Sequence, residues 1–129
     1  MSLLDMNLGD AVEPTVVPAG EEYKLRIMSA PVDNDKNGAP YMRPIFEIPD
    51  VPTSKAFSDF LRIPHPGLSP KEMNDAKWRM TLFLQCFGMD PARPLDPEEL
   101  KGREGWAILG TKDDDYGESN TVRKYIAPK

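Results

Sequence analysis

The sequence predicts a mainly-β domain with a single helix, and three observations carry that reading. Several short segments alternate apolar and polar residues with period two and are separated by breaks rich in Gly, Pro and Asn. One segment alone, residues 69–88, has helical spacing together with both end signals. The chain has 129 residues, enough for one domain to bury a core of its own.

Residues 1–20 read as an extended N-terminal arm, because Pro14, Pro18 and Gly20 interrupt any regular element. Residues 21–129 read as one domain. In "EEYKLRIMSAPV", Tyr23, Leu25 and Ile27 fall on one face and Lys24, Arg26 and Met28 on the other, the pattern of a strand with one buried and one wet face. "DNDKNGAP" follows as a turn, its Asn37-Gly38 pair marking a hairpin. "YMRPIFEIPD" resumes as a strand with Met42, Phe46 and Ile48 on one face and Tyr41, Arg43 and Ile45 on the other. Pro44 lacks a backbone donor and predicts an edge position or a bulge. "SKAFSDFLRIP" is a third strand whose faces stay open, since Phe57 and Phe60 have opposite parity.

The helix begins with Ser69 as N-cap, Pro70 in the first position and Glu72 completing a capping box, and Gly88 stops it. Met73, Ala76, Met80, Phe83, Leu84 and Phe87 make its core-facing stripe. Trp78, Leu82 and Cys86 form a narrower second stripe, which predicts packing under the N-terminal arm or a homodimer interface. A short helical turn is expected at 97–100. "REGWAILGTK" and "SNTVRKYIAP" then form a final hairpin around "DDDYGE". In its last strand Val122, Lys124 and Ile126 share one face and Thr121, Arg123 and Tyr125 the other, and Trp106 is expected in the core beside Ile108. Three strands, a helix and two strands is the order of a five-stranded OB-type barrel with its helix between strands 3 and 4; other small barrels share parts of it.

The net charge is −5, yet its distribution matters more than its sum. Residues 1–22 hold five of the 21 acids and none of the 16 bases, so the rest of the chain is balanced at 16 of each. Four of those acids, Asp113, Asp114, Asp115 and Glu118, crowd into one turn. The remaining surface therefore leans basic. Binding a single strand of nucleic acid needs cations along the phosphates and aromatic faces for the bases. Lys24, Arg26, Tyr41, Arg43, Arg123, Lys124 and Tyr125 supply both from predicted strands. The bland alternatives are solubilising charge for the cations, half-buried rims for the tyrosines and a solvated hairpin tip for the acids.

Catalysis finds no constellation. His65 is the sole histidine and lies between two prolines, and Cys86 is the sole cysteine. Neither an internal disulfide nor a zinc site of Cys and His pairs can form. No cofactor or metal site is expected, and the protein is not expected to be an enzyme. No apolar run approaches the length of a membrane span, and no basic-then-apolar leader opens the chain.

Four blocks, "VPAGEEYKLRI", "DKNGAPYMRPIFEI", "LKGREGWAILG" and "DDDYGESNTVRKYI", resemble successive segments of a family of small proteins encoded by phages and prophages. Many of its members are known only as a domain of unknown function, and related phage proteins are OB-fold single-stranded DNA-binding proteins. The resemblance covers residues 9–128 and is most specific over 102–126. It implies an OB fold, a role in phage DNA replication or recombination, and residence in the cytoplasm of an infected or lysogenic bacterium. The implied partners are single-stranded DNA and other phage replication or recombination proteins. One departure is the ending "KYIAPK", where many such binders carry an acidic recruiting tail. A protein–protein module of the same assembly, without DNA contact, is the alternative.

Overall fold

A computed structural model describes residues 8–128. Among the described residues the chain is mainly β with one α-helix and builds two antiparallel sheets that do not close into a barrel. The five-stranded sheet has the order β5-β4-β1-β7-β8, with β1 Glu22–Ser29, β4 Ile45–Glu47, β5 Phe57–Ser58, β7 Glu104–Asp114 and β8 Gly117–Tyr125. The three-stranded sheet has the order β2-β3-β6, with β2 Val32–Asn34, β3 Pro40–Met42 and β6 Leu61–Arg62. The helix α1, Pro70–Cys86, lies between β6 and β7 in the chain, and a 3-10 turn, Pro97–Leu100, precedes β7.

The two sheets are the two ends of one bent meander. Met42 pairs with Leu61 in the smaller sheet and Ile45 with Ser58 in the larger. That register carries straight through the interruption and sets Arg43 opposite Phe60. Across it the Asp59 N–H donates to the Pro44 carbonyl at 3.1 Å. On the other side the Arg43 N–H donates to Pro31 O at 2.9 Å. Pro31 and Pro44 have no N–H to give, so the ladders lapse there and the strands bend. Pro44 was expected at an edge or bulge. It lies instead within the central strand of the meander, where the missing donor marks the bend. The hairpin turn is held by Asp35, whose carboxylate accepts from the N–H groups of Asn37 and Ala39 at 2.8 and 3.0 Å, and Gly38 takes φ +83°.

The inner faces meet on one core. Leu25, Ile27, Met42, Phe46, Phe83, Leu100 and Leu109 are fully enclosed. Phe46 lies within 6.4 Å, ring centroid to centroid, of Phe57, Phe83, Phe87 and Tyr125. The helix carries the expected capping box, with Ser69 and Glu72 bonding each other's backbone N–H. These bonds hold the Glu72 carboxyl below its usual range.

The expected barrel is corrected by its open side, between β5 and β8. β5 has two residues, and Pro49 and Pro52 before it cannot donate to a ladder. Single bonds span the gap instead. Lys55 Nζ donates to Glu118 O at 2.7 Å, and Tyr125 Oη donates to Asp59 Oδ2 at 2.6 Å. The N-terminal arm lies over the same side. Its Thr15 bonds the backbone of Thr53 and Lys55. Val17 is buried and exchanges bonds with the Asn120 side chain at 3.0 and 2.9 Å, while Asn120 also donates to Gly110 O at 3.0 Å. Asn120 is 1% exposed, and all its amide hydrogen bonds go to backbone, so it is satisfied where it is buried. The part of the arm before Leu8 lies outside the described residues.

Candidate nucleic-acid interface

The outward face of the smaller sheet gathers two rings and two guanidinium groups. Met42 and Leu61 point into the core, so their neighbours Tyr41, Arg43, Phe60 and Arg62 point out. Tyr41 pairs with Arg62, and the common register sets Arg43 against Phe60. The Tyr41 and Phe60 rings stack with centroids 4.7 Å apart and planes inclined by 29°. Phe60 remains 52% exposed, a large apolar surface that folding leaves in water. Arg43 has no ion-pair partner among the described residues. Arg62 reaches Glu72 at 3.4 Å with both side chains about half exposed; such a pair is weak and exchangeable.

The outward face of the larger sheet holds a second group. Lys24 stands directly across from Trp106, Arg26 across from Glu104, and Ile108 across from Lys124. Arg26 is spoken for: its guanidinium lies 2.6 Å from Glu47 and 3.7 Å from Glu104. These pairs join β4, β1 and β7 across the outer face, with all three side chains about 40% exposed. Lys24, Arg123 and Lys124 have no ion pair among the described residues. Trp106, expected in the core, faces outward at 49% exposure, because Gly105 and Ala107 take the inward positions.

Tyr125 is corrected outright. The register of β7 and β8 slips between Ile108 and Leu109, so Lys124 faces Ile108 while Val122 faces Leu109. The extra residue, Arg123, breaks the alternation. Arg123 then joins Lys124 on the outer face, its stem over Gly110, where an added Cβ would lie 2.9 Å from Nε. Tyr125 turns inward instead. It is 6% exposed, lies edge-on to Phe83 at 5.4 Å, and gives its hydroxyl to Asp59. Burial and the Asp59 charge push its phenol well above the ordinary value. No base can reach that ring.

The second helix stripe is also divided. Trp78 is 61% exposed and Leu82 half-buried, but Cys86 is in the core. Its thiol donates to Trp106 O at 3.2 Å and packs so closely on β7 that a Cβ at Gly105 would fall 2.5 Å from the Cys86 carbonyl. Burial raises the thiol to about 11, and a side chain 2% exposed in the core is no part of an outward stripe.

The acids of the last hairpin lie along paired strands, with Asp113 opposite Glu118 and Asp114 opposite Gly117. The turn itself is Asp115 and Tyr116, and Tyr116 is 95% exposed. Gly117 has φ +97°, the angle that lets so tight a turn close. Among the described residues no cluster of three or more His, Cys, Asp or Glu side chains could hold a metal ion, and no helix is long and apolar enough to cross a membrane.

Sequence reasoning missed Phe60 and Arg62. The signal for them was Leu61, an apolar residue between the two, read with the aligned alternation of Tyr41-Met42-Arg43. Neither a protein-family model nor a curated protein matches the chain.

Proposed function

We propose that this protein binds single-stranded DNA by base stacking and phosphate contact, as a factor of phage replication or recombination. The observation that carries the reading is the Tyr41–Phe60 stack, Phe60 exposed and Tyr41 half-buried, with Arg43 and Arg62 at its corners. Rings on adjacent strands offer flat faces to any base, and each stacked base contributes about 1–3 kcal/mol. The guanidinium groups beside them can hold the phosphates that connect those bases. Lys24, Trp106, Lys124 and Arg123 extend the cationic, aromatic character onto the larger sheet. The strand order supports an OB-type reading of the fold. Counting the meander as three bent strands, the large sheet runs third, second, first, fourth, fifth, as in an OB barrel left open beside its third strand, and the ring pair lies on the second and third strands.

Anisotropy titration with labelled oligo-dT tests it. Binding should weaken by orders of magnitude between about 50 and 200 mM salt if several phosphates are neutralised. Tyr41→Ala and Phe60→Ala should each lower affinity roughly 5- to 150-fold. Absence of binding at tens of micromolar protein in low salt would reject the reading. The alternative, a protein–protein module, is favoured by Tyr116, whose ring stands clear of the molecule among four carboxylates. In that case Tyr116→Ala, and not Tyr41→Ala, should weaken co-purification with phage replication proteins.

A further inference from the structure

Beside the ring pair runs a groove of about 260 Å³ between β6 and α1. Leu61, Ala76 and Met80 line it with apolar surface, and Phe60 is one of its walls. Arg79, on the helix side, is anchored. Both Asp59 oxygens accept from its Nη2, at 3.0 and 2.8 Å, and Asp59 is itself fixed by the Tyr125 hydroxyl. The Arg79 side chain still keeps 50% of its surface exposed. The groove thus offers an aromatic ring and a fixed guanidinium plane, two surfaces on which a nucleobase stacks. Asp75 also lines it and has no ion-pair partner among the described residues. A carboxylate is acceptor-only and suits an exocyclic amino group, as when Asp or Glu accepts from cytosine N4. An unpaired thymine offers it a single N3–H donor flanked by the O2 and O4 acceptors, which a carboxylate repels.

We propose that this groove takes one nucleobase bearing an exocyclic amino group as the next base after the Tyr41–Phe60 stack. The inference rests on the single-stranded DNA reading above. It adds a base preference to a surface whose stacking is otherwise tolerant. Phe60 serves both parts, one face against Tyr41 and the rest of the ring as a wall of the groove. Arg62, at the junction, exchanges Glu72 for the phosphate between the two bases.

Equilibrium titrations of the full chain with oligo-dC and oligo-dT of equal length, at one salt concentration, test it. Oligo-dC should bind about tenfold more tightly. Asp75→Ala is a substitution on an exposed helix position, and circular dichroism checks its fold. It should erase the preference, weakening dC binding while leaving dT binding equal or slightly tighter as a negative charge is lost. Equal affinity of the wild type for dC and dT, with Tyr41→Ala still weakening both, would overturn the groove and leave the stack standing. A dC preference that survives Asp75→Ala would overturn it as well. No binding of either oligonucleotide would overturn the groove and the stack together.

Discussion

Tyr41 and Tyr125 show what a strand's surroundings do to one and the same local pattern. Each sits on a β-strand close to an arginine, and each looks from the sequence like a ring on a wet face. Tyr41 meets that description: its strand neighbour Met42 fills the core, and its ring stacks on exposed Phe60. Tyr125 reverses it. One inserted residue in β8 puts both Arg123 and Lys124 outside and sends the ring into the Phe46–Phe83–Phe87 cluster. Alternation reveals that a strand has two faces; packing decides which of them is inside, and a bulge changes the answer partway along.

The largest expected effects fall on the inner tyrosine. Tyr125→Ala removes a buried ring and the partner of Asp59, and should cost about 3–5 kcal/mol in a urea unfolding titration. Tyr41→Ala should cost well under half of that and act on oligonucleotide binding instead. If the two variants lose similar stability, the division into inner and outer rings fails.

The helix, its capping box and its core stripe were legible because they depend on contacts within a few residues. So were the inward faces of the first two strands, where Leu25, Ile27, Met42 and Phe46 alternate cleanly. The β8 bulge was not, since nothing in "TVRKYI" shows that its partner strand will slip. The faces of the third strand stayed open for a different reason. Phe57 and Phe60 belong to opposite faces, one in the core and one at the candidate site, and two aromatics of opposite parity cancel as a signal. Barrel closure was illegible too, because it fails on the shortness of β5 and on prolines outside any strand.

Asn120 carries the inner side onto the arm. Asn120→Ala would strand the Val17 N–H and two backbone carbonyls in a buried site, at a cost of about 2–4 kcal/mol, and should release residues 15–17 to faster amide exchange. Exchange confined to global unfolding in that variant would show that apolar contacts and the Thr15 backbone bonds suffice to hold the arm. Arg43→Ala sharpens the outer side. It should leave the unfolding midpoint unchanged and reduce the slope of log affinity against log salt by about one. An unchanged slope would take Arg43 off the phosphate path.

Cys86 gives the smallest effect, and one whose sign is fixed by burial. The folded protein holds the thiol neutral up to about 11 against an ordinary value of 9.0, whereas the unfolded chain ionises it at the ordinary value. The unfolded state therefore releases its proton first as the solution turns alkaline. The stability contributed by the neutral thiol is complete below about pH 9 and drains away as pH climbs toward about 11. In wild type the unfolding free energy should fall through that window, and Tyr125, also raised by burial, adds to the decline from about pH 10.0 upward, where the unfolded chain's phenol begins to ionise. Cys86→Ala should be less stable at neutral pH, because it leaves a small cavity, yet its stability should fall less steeply across the same window. An equal slope in the two proteins would mean that water reaches the thiol. Cys86 would then rejoin Trp78 and Leu82 as a surface stripe open to a second copy of the chain.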